Sequence, residues 1–486
     1  MLDATKRGLW IGAAALTLGL LGDGLLRVGP FGLSGSLWIG AVVAALLWLT
    51  RQSGQPLSPA TRWLAIGAGV ISLGFAWRDA ETLLVFDTLA MLICFGLAAA
   101  YSRGQDLRRG GVFDYAAGAA GAYIYGIAAP FLLLGSDIDW KTMPRSRWSG
   151  RAGAVVRGLL IAVPLLLIFG ALFVSADAVF ANLAGGLWSV DAETFLSHLL
   201  LASFLAVVAG AFLRTTLAAA VPDVSAIKRP VSWALGSVEM AITLGLLNAL
   251  FLAFVLVQFR YFFGGAAHVE ATTGLTYAEY ARKGFFELVT VAAMVLPLLL
   301  AGHWLLPQEN PKQEKAFRWL AGALVAQLAV IMTSAVQRML LYVGEYGLTE
   351  QRLYATAFMG WLAVLFVWFI ATVLRGQRNR FAFGALVTGL AMLVGLHVLN
   401  PDAFIVRTNL DRMAAGKRFD AAYNARLHAD ALPLLVDAFP GLSAEDQATV
   451  LTTLKDRGLM ADAQSDWRTW NLARSKATAA LQKLPR

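Results

Sequence analysis

The sequence predicts an all-α fold, a polytopic transmembrane helical bundle of about 11–13 spans, followed by a small C-terminal soluble α-helical domain. Three observations predict it. The 486 residues are 58% apolar and 15% charged, and their mean hydropathy is +0.63. Soluble globular chains are about 45–50% apolar even with glycine counted, whereas here 46 glycines come on top of the 58%. Apolar runs of roughly 18 or more residues, nearly free of charge, recur along the chain, and a bilayer core needs about 20 such residues per helix. After Leu399 this pattern stops: the remainder holds 12 Lys/Arg against 10 Asp/Glu and no long apolar run.

Twelve segments qualify as spans. The first six are Trp10–Leu26, Ser36–Leu49, Trp63–Trp77, Thr82–Tyr101, Tyr115–Leu134 and Val155–Val174. The others are Phe195–Val221, Leu235–Phe263, Phe285–Leu306, Phe317–Leu341, Leu353–Leu374 and Phe381–Leu399. Three regions follow: N-terminal membrane helices over 1–150, a membrane core over 151–399 and the soluble helices over 400–486. Asn400 and Pro401 break the last run, and "SAEDQATVLTTLKDRG" reads as a helix capped by Ser443 and ended by Gly458. Lys6 and Arg7 before the first run resemble a signal peptide. Asp23, Arg27 and an immediate second run instead favour an uncleaved membrane helix.

Loop charge sets the expected orientation. Arg214, Lys228 and Arg229, then Lys312, Lys315 and Arg318, then Arg375, Arg378 and Arg380 mark three basic loops in the second half. They alternate with acidic or mixed loops, so the basic set is expected in the cytoplasm and the C-terminal region outside. Lys6 and Arg7 suggest a cytoplasmic N-terminus as well, which twelve spans cannot satisfy. The Ala/Gly-rich "YAAGAAGAYIYGIAAPFLLL" is the segment expected to be re-entrant or half-buried.

Several function classes lose support. No GxxxxGK[ST], HExxH or GxSxG occurs, and His198, His268, His303, His397 and His428 show no metal-ligand spacing. No cofactor and no metal is expected. The net charge of +9 reads as loops facing the cytoplasm and anionic lipid, with no nucleic-acid partner. The single cysteine, Cys94, forms no intrachain disulfide.

Polar residues concentrate at a few places. "GLTYAEYARKGFFEL" starts a helix with a Thr276/Glu279 capping box and spaces Glu279, Lys283 and Glu287 four residues apart. "YGLTEQRLYATAF" opens another span in the same way, with Glu350 in its first turn. Glu239, Asn248, Gln258, Arg260, Gln327, Gln337 and Arg338 flank or enter apolar runs, where polar groups usually face a bundle interior or a wet cavity. Candidate ligand-binding residues are therefore Arg260, Glu279, Arg282, Glu287, Arg338, Glu345 and Arg352. The arginines either hold a carboxylate or phosphate, or pair with Glu279, Glu287 and Glu345 as structure.

Five stretches carry a family resemblance: "SADAVFANL", "VQFRYFFGG", "GLTYAEYARKGFFEL", "RMLLYVGEYGLTEQRLY" and "NPDAFIVRTNLDR". In this order they resemble the signature stretches of a bacterial multi-pass membrane family, domain of unknown function 4173, related to the 4153 group. The resemblance covers about residues 170–412 and implies a bacterial envelope protein. It brings no activity, cofactor or catalytic residue. By the loop charges, all five stretches fall at one membrane surface. The first expectation is an inner-membrane protein, in the lipid bilayer, whose outward polar face binds an envelope ligand, lipid head group or partner protein. The alternatives are a membrane transferase or hydrolase acting on a lipid-linked or anionic envelope substrate, with Glu279 or Glu345 as base, and a transporter.

Overall fold

The computed structural model describes residues 2–54, 56–140, 192–218, 236–273, 285–306, 311–459 and 466–485, with isolated positions between 158 and 180. Over 259–273 only the backbone is described. Among the described residues no strand occurs, and eleven helices are long and apolar enough to cross a membrane. These are α1 (Leu2–Leu26), α2 (Leu33–Ser53), α3 (Pro59–Ile71) continued by α4 (Gly74–Trp77), α5 (Glu81–Ala100) and α6 (Val112–Leu132). Next come α7 (Ala192–Leu217), α8 (Ser237–Thr273), α9 (Phe285–Leu305), α10 (Pro311–Tyr346), α11 (Glu350–Thr372) and α12 (Phe381–Leu399). They coincide with eleven of the twelve expected segments. The twelfth, Val155–Val174, falls outside the described residues.

Packing divides the bundle into two groups. In the first, α1 and α7 approach closely because small residues face each other: any side chain at Gly19 would overlap Ala202 and Ala206, and Gly210 lies against Ala15. Close packing of this kind drives helix association where lipid removes the hydrophobic drive. Trp38 on α2 donates its indole N–H to the Leu18 carbonyl of α1 at 2.9 Å. In the second group, α8 to α12 share a core that includes Phe285, Leu299, Phe317, Leu328, Phe369 and Phe381. Several polar residues inside it pair with one another. Asn248 donates to the Leu320 carbonyl at 3.0 Å and accepts from Gln327 at 3.2 Å. Gln258 accepts from Ser334 at 3.1 Å and from Arg338 at 2.8 Å. The groups meet where α5 packs on α11 and α12, through Leu83, Leu393 and Leu396.

The bundle has two chemically different ends. Arg51, Arg103, Arg108, Arg109, Lys312, Lys315, Arg318, Arg375, Arg378 and Arg380 lie at or near helix termini of one end. The residues after Leu399 pack on the other. Helix α6 does not join the two ends. At its start, Phe113 stacks on Trp304 in the last turn of α9. Past its C-terminus, Asp137 pairs bidentately with Arg214 in the last turn of α7, at 2.6 and 3.0 Å. The next-but-one backbone N–H, of Asp139, donates to Thr5 in α1. All these partners lie at the basic end. In between, the Tyr123 hydroxyl reaches the Leu92 carbonyl, midway along α5. Pro130 lies in its last turn, and a widened turn over Leu133–Asp137 follows. The start and the end of the Ala/Gly-rich segment thus both contact the basic end.

Beyond α12, five short helices fold back over the far end: α13 (Pro401–Ala414), α14 (Ala421–Arg426), α15 (Leu432–Ala438), α16 (Ala444–Asp456) and α17 (Leu472–Leu481). Asn400, at φ 56°, makes the turn and caps α13 by accepting from Ala403. Ser443 caps α16 by accepting from Asp446 at 3.1 Å, and Gly458, at φ 69°, follows its end. Ile405, Leu432, Leu435, Phe439 and Leu454 form their core together with Leu348 and Leu353 from the start of α11. The arrangement makes a topological prediction. In Arg103→Cys and Gln377→Cys variants a membrane-impermeant maleimide should react from one side of the membrane. In Lys417→Cys and Lys483→Cys variants it should react from the opposite side. Labelling of all four from one side would contradict it.

Candidate functional site

The junction between the bundle and the C-terminal helices is where charge is buried. Arg78, just after α4, donates two hydrogen bonds to the His397 carbonyl, at 2.9 and 2.6 Å, and a third to Asp430 at 2.9 Å. Asp430 also accepts from the Asp79 backbone N–H at 2.7 Å. Burial raises the Asp430 carboxyl above the usual range, and the bonds from Asp79 and Arg78 offset this only in part. Below the junction His397 contacts Asp87 at 2.9 Å, both buried, and stacks on Trp77. Asp79 pairs with Arg474 at 3.1 Å. Buried Asn471 donates to the Phe75 and Arg78 carbonyls at 2.9 and 2.8 Å. Three short sequence segments, near 78, 430 and 471, are thus clamped together.

Beside this clamp lies a second polar group. Asp402, in the first turn of α13, is fully buried. Its Oδ2 accepts from the His428 backbone N–H at 3.2 Å and lies 3.1 Å from His428 Nδ1. Its Oδ1 is buried with no hydrogen-bond partner. Glu350, first residue of α11, brings Oε1 to 3.7 Å from the same Nδ1, and this oxygen too is buried and unbonded. One ligand-capable atom from each of Glu350, Asp402 and His428 falls within 4.8 Å of the others. The hydrogen bond to Asp402 holds the His428 imidazole above its ordinary range, against the opposing effect of burial.

Local structure fixes Glu350. Thr349 occupies the N-cap position of α11 without a capping hydrogen bond from its side chain. The Tyr423 hydroxyl from α14 accepts from the Glu350 N–H instead, at 2.8 Å. Burial pushes the Tyr423 phenol up to about 12, so this hydroxyl stays neutral. Upstream, Gly347 turns at φ 83°, where a side chain would meet Asn409 and Arg412. Buried Asn409 then accepts from the Leu348 N–H at 2.8 Å and donates to the Leu348 carbonyl at 3.0 Å.

One turn after Glu350, the Tyr354 hydroxyl is buried and unbonded. Its ring lines an apolar cleft of about 320 Å³ between α5, α11 and α12, with Phe86, Leu89, Phe358, Trp361 and Leu393. The cleft lies among membrane-spanning helices, so the polar group stands at its surface end.

The residues expected from sequence are placed differently. Glu279 and Arg282 lie outside the described residues, as does the Arg260 side chain. Glu287 is exposed at the start of α9, and Arg338 donates to Gln258. Glu345 is exposed and pairs with Lys417 at 2.9 Å. Arg352 bonds the Gly347 carbonyl and lies over the Tyr342 ring. The structure gathers instead Glu350, Asp402 and His428. A usable signal stood in "NPDAFIVRTNLDR", where Asp402 is an acid in the turn that caps α13.

A family model described as Domain of unknown function (DUF4153) matches residues 65–438. The resemblance drawn to the 4173 family thus resolves to the related 4153 group. The match spans Arg78, Glu350, Asp402, His428 and Asp430. No curated protein and no solved structure matches this chain. The geometry makes two stability predictions, both read by thermal unfolding of the solubilised protein. Asn409→Ala strands two backbone groups of Leu348 and should cost roughly 2–4 kcal/mol. Tyr423→Phe should cost about 1 kcal/mol, through the freed Glu350 N–H.

Proposed function

We propose that this chain, which belongs to the DUF4153 family, is a bacterial inner-membrane protein that binds a membrane lipid at the junction. Its basic end faces the cytoplasm by the positive-inside rule, and its C-terminal helices form a soluble domain on the outer surface. The acyl chain occupies the cleft between α5, α11 and α12, and the head group reaches the Glu350–Asp402–His428 group. One observation carries this reading. Tyr354 lines the apolar cleft and stands one turn from Glu350, so the apolar space within the membrane ends one helical turn from unsatisfied carboxylate oxygens. Amphiphiles match that sequence of environments. Carboxylate oxygens there favour a head group with ammonium or hydroxyl donors.

A second reading is favoured by His428. An imidazole oriented by a buried carboxylate and facing a second carboxylate is a general acid–base arrangement. It suits a hydrolase or transferase acting on a lipid-linked substrate, with Glu350 or His428 as the general base first expected of Glu279 or Glu345.

Native mass spectrometry of the delipidated protein, titrated with phosphatidylethanolamine and phosphatidylglycerol, tests the lipid reading. Ala357→Phe, which fills the cleft, should abolish the lipid adduct at unchanged melting temperature. Glu350→Gln should weaken it severalfold. Equal lipid retention by the wild type and both variants would sink the idea.

A further inference from the structure

The geometry points to a divalent transition-metal site formed by Glu350, Asp402 and His428, with Zn²⁺ or Mn²⁺ as the fitting ions. The site goes beyond lipid binding and does not depend on it. Three independent features converge. The first is spacing. Ligand atoms about 2.0–2.2 Å from a tetrahedral ion lie about 3.4 Å from one another. The His428 Nδ1 separations, 3.1 Å to Asp402 Oδ2 and 3.7 Å to Glu350 Oε1, bracket that value. All three atoms fall within 4.8 Å, so small side-chain adjustments close the site.

The second feature is charge. Two neighbouring carboxylates each pair directly with an arginine: Asp430 with Arg78, and Asp79 with Arg474. Glu350 and Asp402 have only His428 at ion-pairing distance, while Arg457, the cation that also acts on Asp402, spends its donors on the Ala425 and Leu427 carbonyls. Two carboxylates and a neutral imidazole carry a charge that one divalent ion cancels. Buried charges without such compensation are costly.

The third is the fully buried Asp402 side chain, whose Oδ1 has no hydrogen-bond partner beside an equally unbonded Glu350 Oε1. Buried polar atoms are nearly always satisfied, so an orphan in a dense cluster marks a missing partner. An ion held by both Asp402 carboxylate oxygens and by Glu350 Oε1 supplies it without requiring any donor hydrogen.

The donor set also selects among metals. Imidazole with carboxylates suits zinc and manganese, whereas calcium and magnesium prefer all-oxygen sites. Three protein ligands leave at least one coordination position open, as in sites where a metal meets water or a substrate oxygen. The support is rigid: Glu350 is fixed through its backbone by Tyr423, and Asp402 by its place in the first turn of α13.

The test uses the full chain in nanodiscs, stripped with a chelator and incubated separately with Zn²⁺, Mn²⁺ or Mg²⁺. Metal retained after desalting is measured by elemental mass spectrometry. The wild type should retain one equivalent of Zn²⁺ or Mn²⁺ and far less Mg²⁺. Asp402→Asn and His428→Gln should each weaken retention at least tenfold. Glu350→Gln, at a half-buried position, gives a third arm should either of the first two misfold. A wild type that retains no transition metal, or variants that retain as much as it does, would overturn the site. Metal retention together with failed lipid titration would leave the site standing and remove only the lipid reading.

Discussion

The contact between Arg78 and Asp430 is the constraint on which the far end of the molecule depends. Arg78 follows a membrane helix, and Asp430 belongs to the C-terminal helices more than 350 residues later. The same guanidinium holds the carbonyl of His397 near the end of α12. A single planar cation with several donors thus ties a span of the first group, a span of the second and the terminal helices into one unit. Its environment makes the tie consequential. Asp430 is 6% exposed, so removing Arg78 would strand a buried carboxylate rather than release it to water.

That clamp explains why the polar group beside it exists. Glu350 starts a membrane helix, Asp402 starts the first terminal helix, and His428 sits on the chain between α14 and α15. No two belong to the same element. They meet because the terminal helices close over the bundle, with Asn471 and Arg474 fastening the far edge to Phe75, Arg78 and Asp79. Tyr423 and Asn409 then set the start of α11 from the side. The result is a fixed cluster of acids and one imidazole above an apolar cleft, a combination suited to holding an amphiphile or an ion.

Sequence reasoning reached the architecture because hydropathy reports burial in lipid directly. Span positions follow from runs such as Phe381–Leu399, and Ser443 announces a capped helix by its own residue type. The close approach of α6 to α5 follows from its Ala/Gly content, as where Gly118 lies against Ala100. The site was not visible in the same way. Glu345 and Arg352 look as functional as Glu350 in the linear chain, yet they are absorbed by Lys417 and by the Gly347 carbonyl. What distinguishes Glu350 is contact with Asp402 and His428, and no spacing pattern encodes a contact made by chain reversal. His428 shows no metal-ligand spacing in the linear chain because its partners are 26 and 78 positions away.

A double-mutant cycle on Arg78 and Asp430 tests the dependence most directly, using Arg78→Ala, Asp430→Ala and the double variant with chemical unfolding of the terminal helices as the readout. The account predicts a coupling energy of about 1.5–3 kcal/mol, as for a desolvated pair. A coupling below about 0.5 kcal/mol, the range of an exposed surface pair, would contradict it.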